Sequence, residues 1–228
     1  MKKLIAAVLC ALFVLALLPA LALAADVSPA DGYNDHDYDA LRAYLETEVG
    51  GVKNGVRVNG ASYNADDPTS WLVSWITLAD SEKHAYGINW DNKGLSGTLD
   101  FTNFTGVSVI YVSGNSLSSI ITTGCTSLGG FTCDGNGLTS LDLSTNTSLY
   151  WLDCSNNALT SLDTSAAGTE MYYLYCQGNS LTSLNVTGNT ALYDLWCYDN
   201  SLTSLTLTGM APNSRRYRIS GMAVESRK

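Results

Sequence analysis

Six cysteines, two histidines and a run of alternating acids are the residues of this chain with the widest chemical options. Four of the cysteines, Cys133, Cys154, Cys176 and Cys197, fall 21, 22 and 21 residues apart. Converging thiolates could hold zinc, but structural zinc sites usually draw their sulfurs from closely spaced C-x-x-C pairs. Here each sulfur stands alone in its own copy of one sequence neighbourhood, so the column lies along a line and metal ligation is not expected. Disulfides fit no better. Parallel strands lie about 4.8 Å apart, whereas the Cβ atoms of a disulfide sit about 3.8 Å apart. The expectation is a structural column of buried free thiols acting as small hydrophobes. Cys125 stands off the column and is an odd thiol that could pair with another chain or do nothing.

The run Asp31-Gly32-Tyr33-Asn34-Asp35-His36-Asp37-Tyr38-Asp39 offers hard oxygen ligands at alternate positions, which would suit calcium. Its glycine and its glutamate do not fall where an EF-hand needs them, and helix capping explains the acids without a metal. His36 and His84 belong to no H-E-x-x-H pair, no G-x-S-x-G elbow occurs, and no glycine loop ends in lysine. Asp142 and Asp163 share one register after "LTSL", which makes them turn or edge residues and not an acid–base pair. The chain reads as non-catalytic, with no cofactor and no metal.

What must position these residues is a repeat. Its unit runs through Leu149, Leu152, Cys154, Asn157, Leu159 and Leu162, and returns at Leu192, Leu195, Cys197, Asn200, Leu202 and Leu205. Stepping back from Asn136 gives a less regular copy with Val107, Ile110, Val112, Asn115, Leu117 and Ile120. Alternation at Leu152 and Cys154 predicts one short parallel strand per unit, its apolar face inward. Asn115, Asn136, Asn157, Asn179 and Asn200 form a second structural column, where an amide can satisfy backbone groups at the strand's exit. These motifs resemble the leucine-rich repeat family. The resemblance implies a solenoid of the α/β repeat class, with strands on a concave face, a mostly irregular convex side and a helical N-terminal cap. About five units over residues 107 to 208 are expected, enough to bury a continuous core.

The segment before them, residues 25 to 106, differs in composition and carries Trp71, Trp75 and Trp90. One amphipathic helix is expected from about 38 to 49, capped by Asp35, Asp37 or Asp39, followed by a turn-rich "GVKNGVRVNG" and a strand at "GINW". The order Tyr38 to Leu45, Asp67-Pro68-Thr69-Ser70-Trp71, then Gly87-Ile88-Asn89-Trp90 is similar to the cap of exported bacterial surface leucine-rich repeat proteins and, more distantly, of plant receptor ectodomains. Plant-type caps often carry paired cysteines, and residues 25 to 124 contain none. Packing around the three tryptophans must serve instead.

Upstream, Met1-Lys2-Lys3, the apolar run Leu4 to Leu18 and the small-residue site before Ala24 read as a secretory signal peptide over 1 to 24. That predicts a secreted or cell-surface product without stable membrane insertion of the mature chain. Net charge is −9. Residues 26 to 208 hold 5 Lys/Arg against 20 Asp/Glu, which is −15, and the tail from 209 holds 5 against 1, which is +4. So acidic a body argues against nucleic acid. The basic tail, 209 to 228, is expected to be disordered or to belong to a longer protein.

The outward strand places carry the candidate ligand-binding residues Tyr111, Trp151, Asp153, Tyr173, Tyr175, Asp194, Trp196 and Tyr198. Tyr150, Tyr172 and Tyr193 flank them. Large rings on a rigid sheet suit a protein or peptide partner. A glycan partner fits the same rings, and the same aromatics could also serve only to stabilise the ladder of a structural spacer.

Overall fold

A computed structural model describes residues 32 to 207 and 216 to 219. The proposed signal peptide therefore lies outside the described residues, as do most positions of the basic tail. Helix α1 (Asp35–Glu46) opens the described chain. A two-residue pair, β1 (Glu48–Val49) and β2 (Val52–Lys53), leads to the short helix α2 (Asn54–Asn59). Then follow β3 (Val73–Thr77), β4 (Lys83–Asn89), β5 (Ser96–Asp100), β6 (Val109–Tyr111) and β7 (Ser116–Ile121). The remaining strands are β8 (Gly130–Thr132), β9 (Trp151–Asp153), β10 (Tyr173–Tyr175), β11 (Ser183–Asn185), β12 (Asp194–Trp196), β13 (Ser204–Thr206) and β14 (Arg216–Arg218).

The main sheet has eight strands in the order β14-β12-β10-β9-β8-β6-β4-β3. All its pairings are parallel except β3 with β4. Its central inward column is Ile88, Ile110, Phe131, Leu152, Leu174 and Leu195, in direct register from strand to strand, and Tyr217, exposed on β14, continues the register. This is a leucine-rich repeat solenoid with an N-terminal helical cap. Among the described residues no helix is long and apolar enough to cross a membrane.

Two boundaries differ from the sequence reading. Strand β4 lies inside the span assigned to the cap, yet its Gly87, Ile88 and Asn89 pair with Val109, Ile110 and Tyr111 as any repeat would. The unit is disguised because Trp90 occupies the cysteine place and Lys93 the asparagine place. Trp90 is fully buried, and its indole N–H donates to Trp71 O at 2.9 Å, so the bulky ring ties the first coil to the cap. At the other end, β14 continues the sheet where a disordered tail is expected. Tyr217 pairs with Leu195, and Ile219, two residues on, packs against the core. Tyr and Ile in place of Leu and Cys hide that strand from a pattern search.

The cap shows its own differences. Helix α1 begins earlier and ends earlier than expected, with Asn34 as N-cap: its side chain accepts from Asp37 N at 3.2 Å. Asp37 does not cap; it is buried, and its carboxylate accepts from Ala85 N at 2.9 Å. Asp35 and Asp39 are exposed on the same helix, so these acids of the run belong to α1 and not to a loop. Thr47 ends the helix, and Val49 goes to the β1–β2 pair. Tyr38, Leu41 and Leu45 are the buried stripe, at the i, i+3, i+7 spacing of one helical face. Tyr38 meets Trp71 at 4.9 Å between ring centroids, and Trp71 is fully buried. The "GVKNGVRVNG" stretch, expected as turns, contains α2.

Inside the solenoid the asparagine column works across coils. Asn136 donates to the carbonyls of Cys133 and Asp134 in its own coil and of Val112 in the previous one, and accepts from Leu117 N. Asn157, Asn179 and Asn200 repeat this, accepting from Leu138, Leu159 and Leu181 N. Asn115 accepts from both Lys93 and Leu95 N. The preceding residue is left-handed in every coil: Asn92, Gly114, Gly135, Asn156, Gly178 and Asp199 all have φ between 51° and 66°. Gly, Asn and Asp tolerate that region, which is why the pair G-N recurs.

A second amide ladder stands on the convex side and escapes the sequence reading. Asn146 is fully buried; it donates to Thr122 O and Cys125 O and accepts from the Thr122 hydroxyl at 2.9 Å. Asn189 does the same with Thr164 O, Gly168 O and the Thr164 hydroxyl. Cys125 takes part too, its thiol donating to Phe101 O, so burial removes it from any bond to another chain. Cys133, Cys154, Cys176 and Cys197 are free and buried. Burial pushes the Cys125 thiol up to about 12 and Cys197 to about 11. Cys133, Cys154 and Cys176 are raised as well, by the same cause. Asp142 and Asp163 accept from Ser144 N and Ser165 N, both at 2.9 Å, which holds their carboxyls below the usual range.

Candidate functional site

Alternation on each three-residue strand sends its middle side chain into the core and its two flanking side chains onto the opposite face of the sheet. On that face Tyr111, Trp151, Asp153, Tyr173, Tyr175 and Trp196 are all half-buried, as is Tyr198 just past β12. Their rings form one chain of contacts. Tyr111 lies 6.4 Å from Trp151, Trp151 6.4 Å from Tyr173, and Tyr173 6.4 Å from Tyr175. Tyr175 meets Trp196 at 4.8 Å, and Trp196 lies 6.4 Å from Tyr198. The Arg218 guanidinium sits 4.6 Å over the Trp196 ring, so β14 adds a cation to the surface.

The rings just before β9 and β10 are more exposed than those on the two strands. Tyr150 is 45% exposed and Tyr172 39%. Tyr172 and Tyr193 stack at 5.2 Å with planes 9° apart, and Tyr172 meets Tyr173 edge-on at 4.9 Å. Tyr150 lies over a two-glycine floor: a Cβ on Gly129 would come within 2.8 Å of its ring. The rim thus adds three rings to the six of the face, and the sequence signal for it was the tyrosine repeated at one register.

The two acids differ in role. Asp194 is 6% exposed and receives the indole N–H of Trp196 at 2.9 Å and the Tyr175 hydroxyl at 3.4 Å. It orients those two rings from beneath. Asp153 is half-buried and accepts from Ser155 N at 3.0 Å. Burial raises its carboxyl, and the Asp134 carboxylate adds to this. Burial raises the Tyr175 phenol first and Asp194 second. For Tyr111 burial again leads, followed by Tyr150 and Asp91. Two buried polar atoms on this face, Trp151 Nε1 and Gln177 Oε1, find no hydrogen-bond partner among the described residues.

Fold and surface together define a leucine-rich repeat solenoid carrying an aromatic, acidic sheet face. Solved structures of internalins resemble it. One is the functional domain of InlJ from Listeria monocytogenes, which includes a cysteine ladder: identity is 25%, the TM-score 0.48, and the match covers 61% of this chain and 36% of that one. The match thus spans little more than a third of that domain. Internalin C2 of the same organism matches at 12% identity and TM-score 0.38, over 82% of this chain and 93% of that one. InlF matches at 17% identity and TM-score 0.32, over 52% and 44%. No protein-family model matches the sequence, and no curated protein does.

Proposed function

We propose that this chain is an exported, non-catalytic recognition module that binds a protein or peptide through the concave face of its sheet. In this reading residues 1 to 24 are removed on export, and a cap precedes and closes the repeats. The observation that carries it is the continuous aromatic surface from Tyr111 to Tyr198, rimmed by Tyr150, Tyr172 and Tyr193. Rings fixed on a sheet give contact area at small entropic cost, and binding energy concentrates on such residues. Asp134 and Asp153 favour a partner with basic side chains.

A glycan is the second reading, favoured by the flat Tyr172–Tyr193 stack, on which a sugar ring could lie. Screening the mature chain against peptide and glycan arrays, beside a Trp151→Ala, Tyr175→Ala, Trp196→Ala variant with unchanged circular dichroism, tests both. Peptide binding lost in the variant supports the proposal, with about 30-fold expected from one central ring. Sugar binding that depends on Tyr172 and Tyr193 selects the second reading. Binding that survives the triple change leaves the rings as ladder packing in a spacer.

A further inference from the structure

The turn into β4 places Asp80, Glu82 and His84 at alternate positions, and one donor atom of each lies within 4.8 Å of the other two. His84 is 5% exposed and is held between two carboxylates. Its Nε2 lies 2.8 Å from Asp80 Oδ2, and its Nδ1 lies 3.5 Å from Asp37 Oδ2, with no hydrogen bond made by Nδ1. Asp37 is itself fixed, since the same carboxylate oxygen accepts from Ala85 N. A neutral imidazole has one N–H and one lone pair. If Nε2 carries the proton, the Nδ1 lone pair faces a buried carboxylate. If Nδ1 carries it, the Nε2 lone pair faces Asp80. In either neutral tautomer one edge of the ring opposes negative charge, and only a second proton or a bound cation relieves it.

A cation at Nε2 removes that conflict. It takes the lone pair, leaves the Nδ1 proton directed at Asp37, and draws Asp80 and Glu82 together. Asp80 Oδ1 is held by Glu82 N at 3.0 Å, and Glu82 Oε2 by Asn34 Nδ2 at 2.7 Å, which leaves one oxygen on each acid for a metal. A carboxylate behind a ligating imidazole is the usual way a protein orients such a ligand. One nitrogen and two oxygens suit zinc and disfavour calcium, which takes oxygen alone. We infer that Asp80, Glu82 and His84 bind a zinc-class divalent cation, with Asp37 as the positioning residue. The bound ion clamps the β3–β4 hairpin to α1, at the edge where the cap meets the sheet.

The test is calorimetric titration of the untagged mature chain with zinc, repeated with cobalt(II) followed by its visible absorption. One ion per chain is expected, with a cobalt spectrum showing nitrogen and oxygen ligands. D80N and E82Q, both at accessible positions, should each weaken binding at least about 10-fold, and D37N about 10- to 100-fold. H84Q should abolish it; because His84 is buried, the two acid variants carry the test if that variant fails to fold. No saturable binding below about 1 mM zinc, or binding unchanged in a D80N/E82Q double variant, overturns the site. In that case the contacts of His84 with Asp37 and Asp80 serve only to hold the β3–β4 hairpin against α1.

Discussion

Replacing Asn157 by alanine removes one complete rung of the inner ladder, and its cost can be worked group by group. The amide donates to Cys133 O at 3.0 Å, Ser155 O at 3.1 Å and Cys154 O at 3.2 Å, and accepts from Leu138 N at 3.0 Å. Cys133 and Cys154 carbonyls keep a partner each, from Asn136 and Asn179. Leu138 is fully buried and its N–H keeps none of its side-chain acceptor, so that donor is the main loss. An orphaned buried donor costs about 1–3 kcal/mol, and weakening the carbonyls adds roughly another kilocalorie, for about 3 kcal/mol in all. In a domain of this size that lowers Tm by about 6–12 °C. Urea unfolding followed by circular dichroism measures it, with exposed Thr160→Ala as the control. Asn157→Asp sharpens the test: it keeps the acceptor but turns three donor contacts into a charged oxygen facing carbonyls, so it should be at least as damaging as alanine. A loss under about 0.5 kcal/mol for alanine, or a neutral aspartate, would refute the assignment of the column as a hydrogen-bonding device.

Gly178→Ala should destabilise by about 2 kcal/mol in the same unfolding assay, because φ is 66° there and the new Cβ would stand 2.5 Å from Asn156 Oδ1. Iodoacetamide at pH 8 should leave all five described cysteines unmodified until urea unfolds the chain, since burial both covers the thiols and raises Cys125 to about 12 and Cys197 to about 11; mass spectrometry of native and unfolded samples reads the difference. Asp153→Asn should raise Tm slightly at pH 7 and leave it unchanged near pH 3. The folded carboxyl is raised above its unfolded value, so ionising it costs stability, and that cost appears as pH rises through the unfolded carboxylate range and is absent below it. An equal shift at both pH values would reject this.

Most of the solenoid was legible because its period repeats with few substitutions from Leu149 to Leu205. The ends were not: the first coil packs against the cap in place of another repeat, and β14 has a described neighbour on one side only, so neither is held to the size constraint that fixes Leu and Cys elsewhere. Trp90 fills the cysteine place against the cap, and Tyr217 and Ile219 fill the last strand. Asn146 and Asn189 were hidden because the convex connection between them is irregular, interrupted by the 3-10 turns of Ser165–Glu170. On the sheet face the outward residues followed from alternation alone, but the burial of Asp194 beneath Trp196 did not. Period-two patterning gives direction and says nothing about which side chain folds over another.

The rungs of the asparagine ladder also give the molecule a direction in time. Every inner amide satisfies an N–H that lies 19 to 20 residues earlier in the chain, from Leu117 with Asn136 to Leu181 with Asn200. The carbonyls at each strand's exit are met in part within the coil, but these N–H groups are satisfied only by the coil that follows. A polypeptide delivered N-terminus first meets this requirement in order: the cap and Trp90 provide a finished surface, and each new stretch of some twenty residues seals the one before. Assembly can keep pace with delivery because no contact of this kind waits for a distant segment. Interrupted delivery leaves a single unsealed coil at the growing end, with everything behind it already closed.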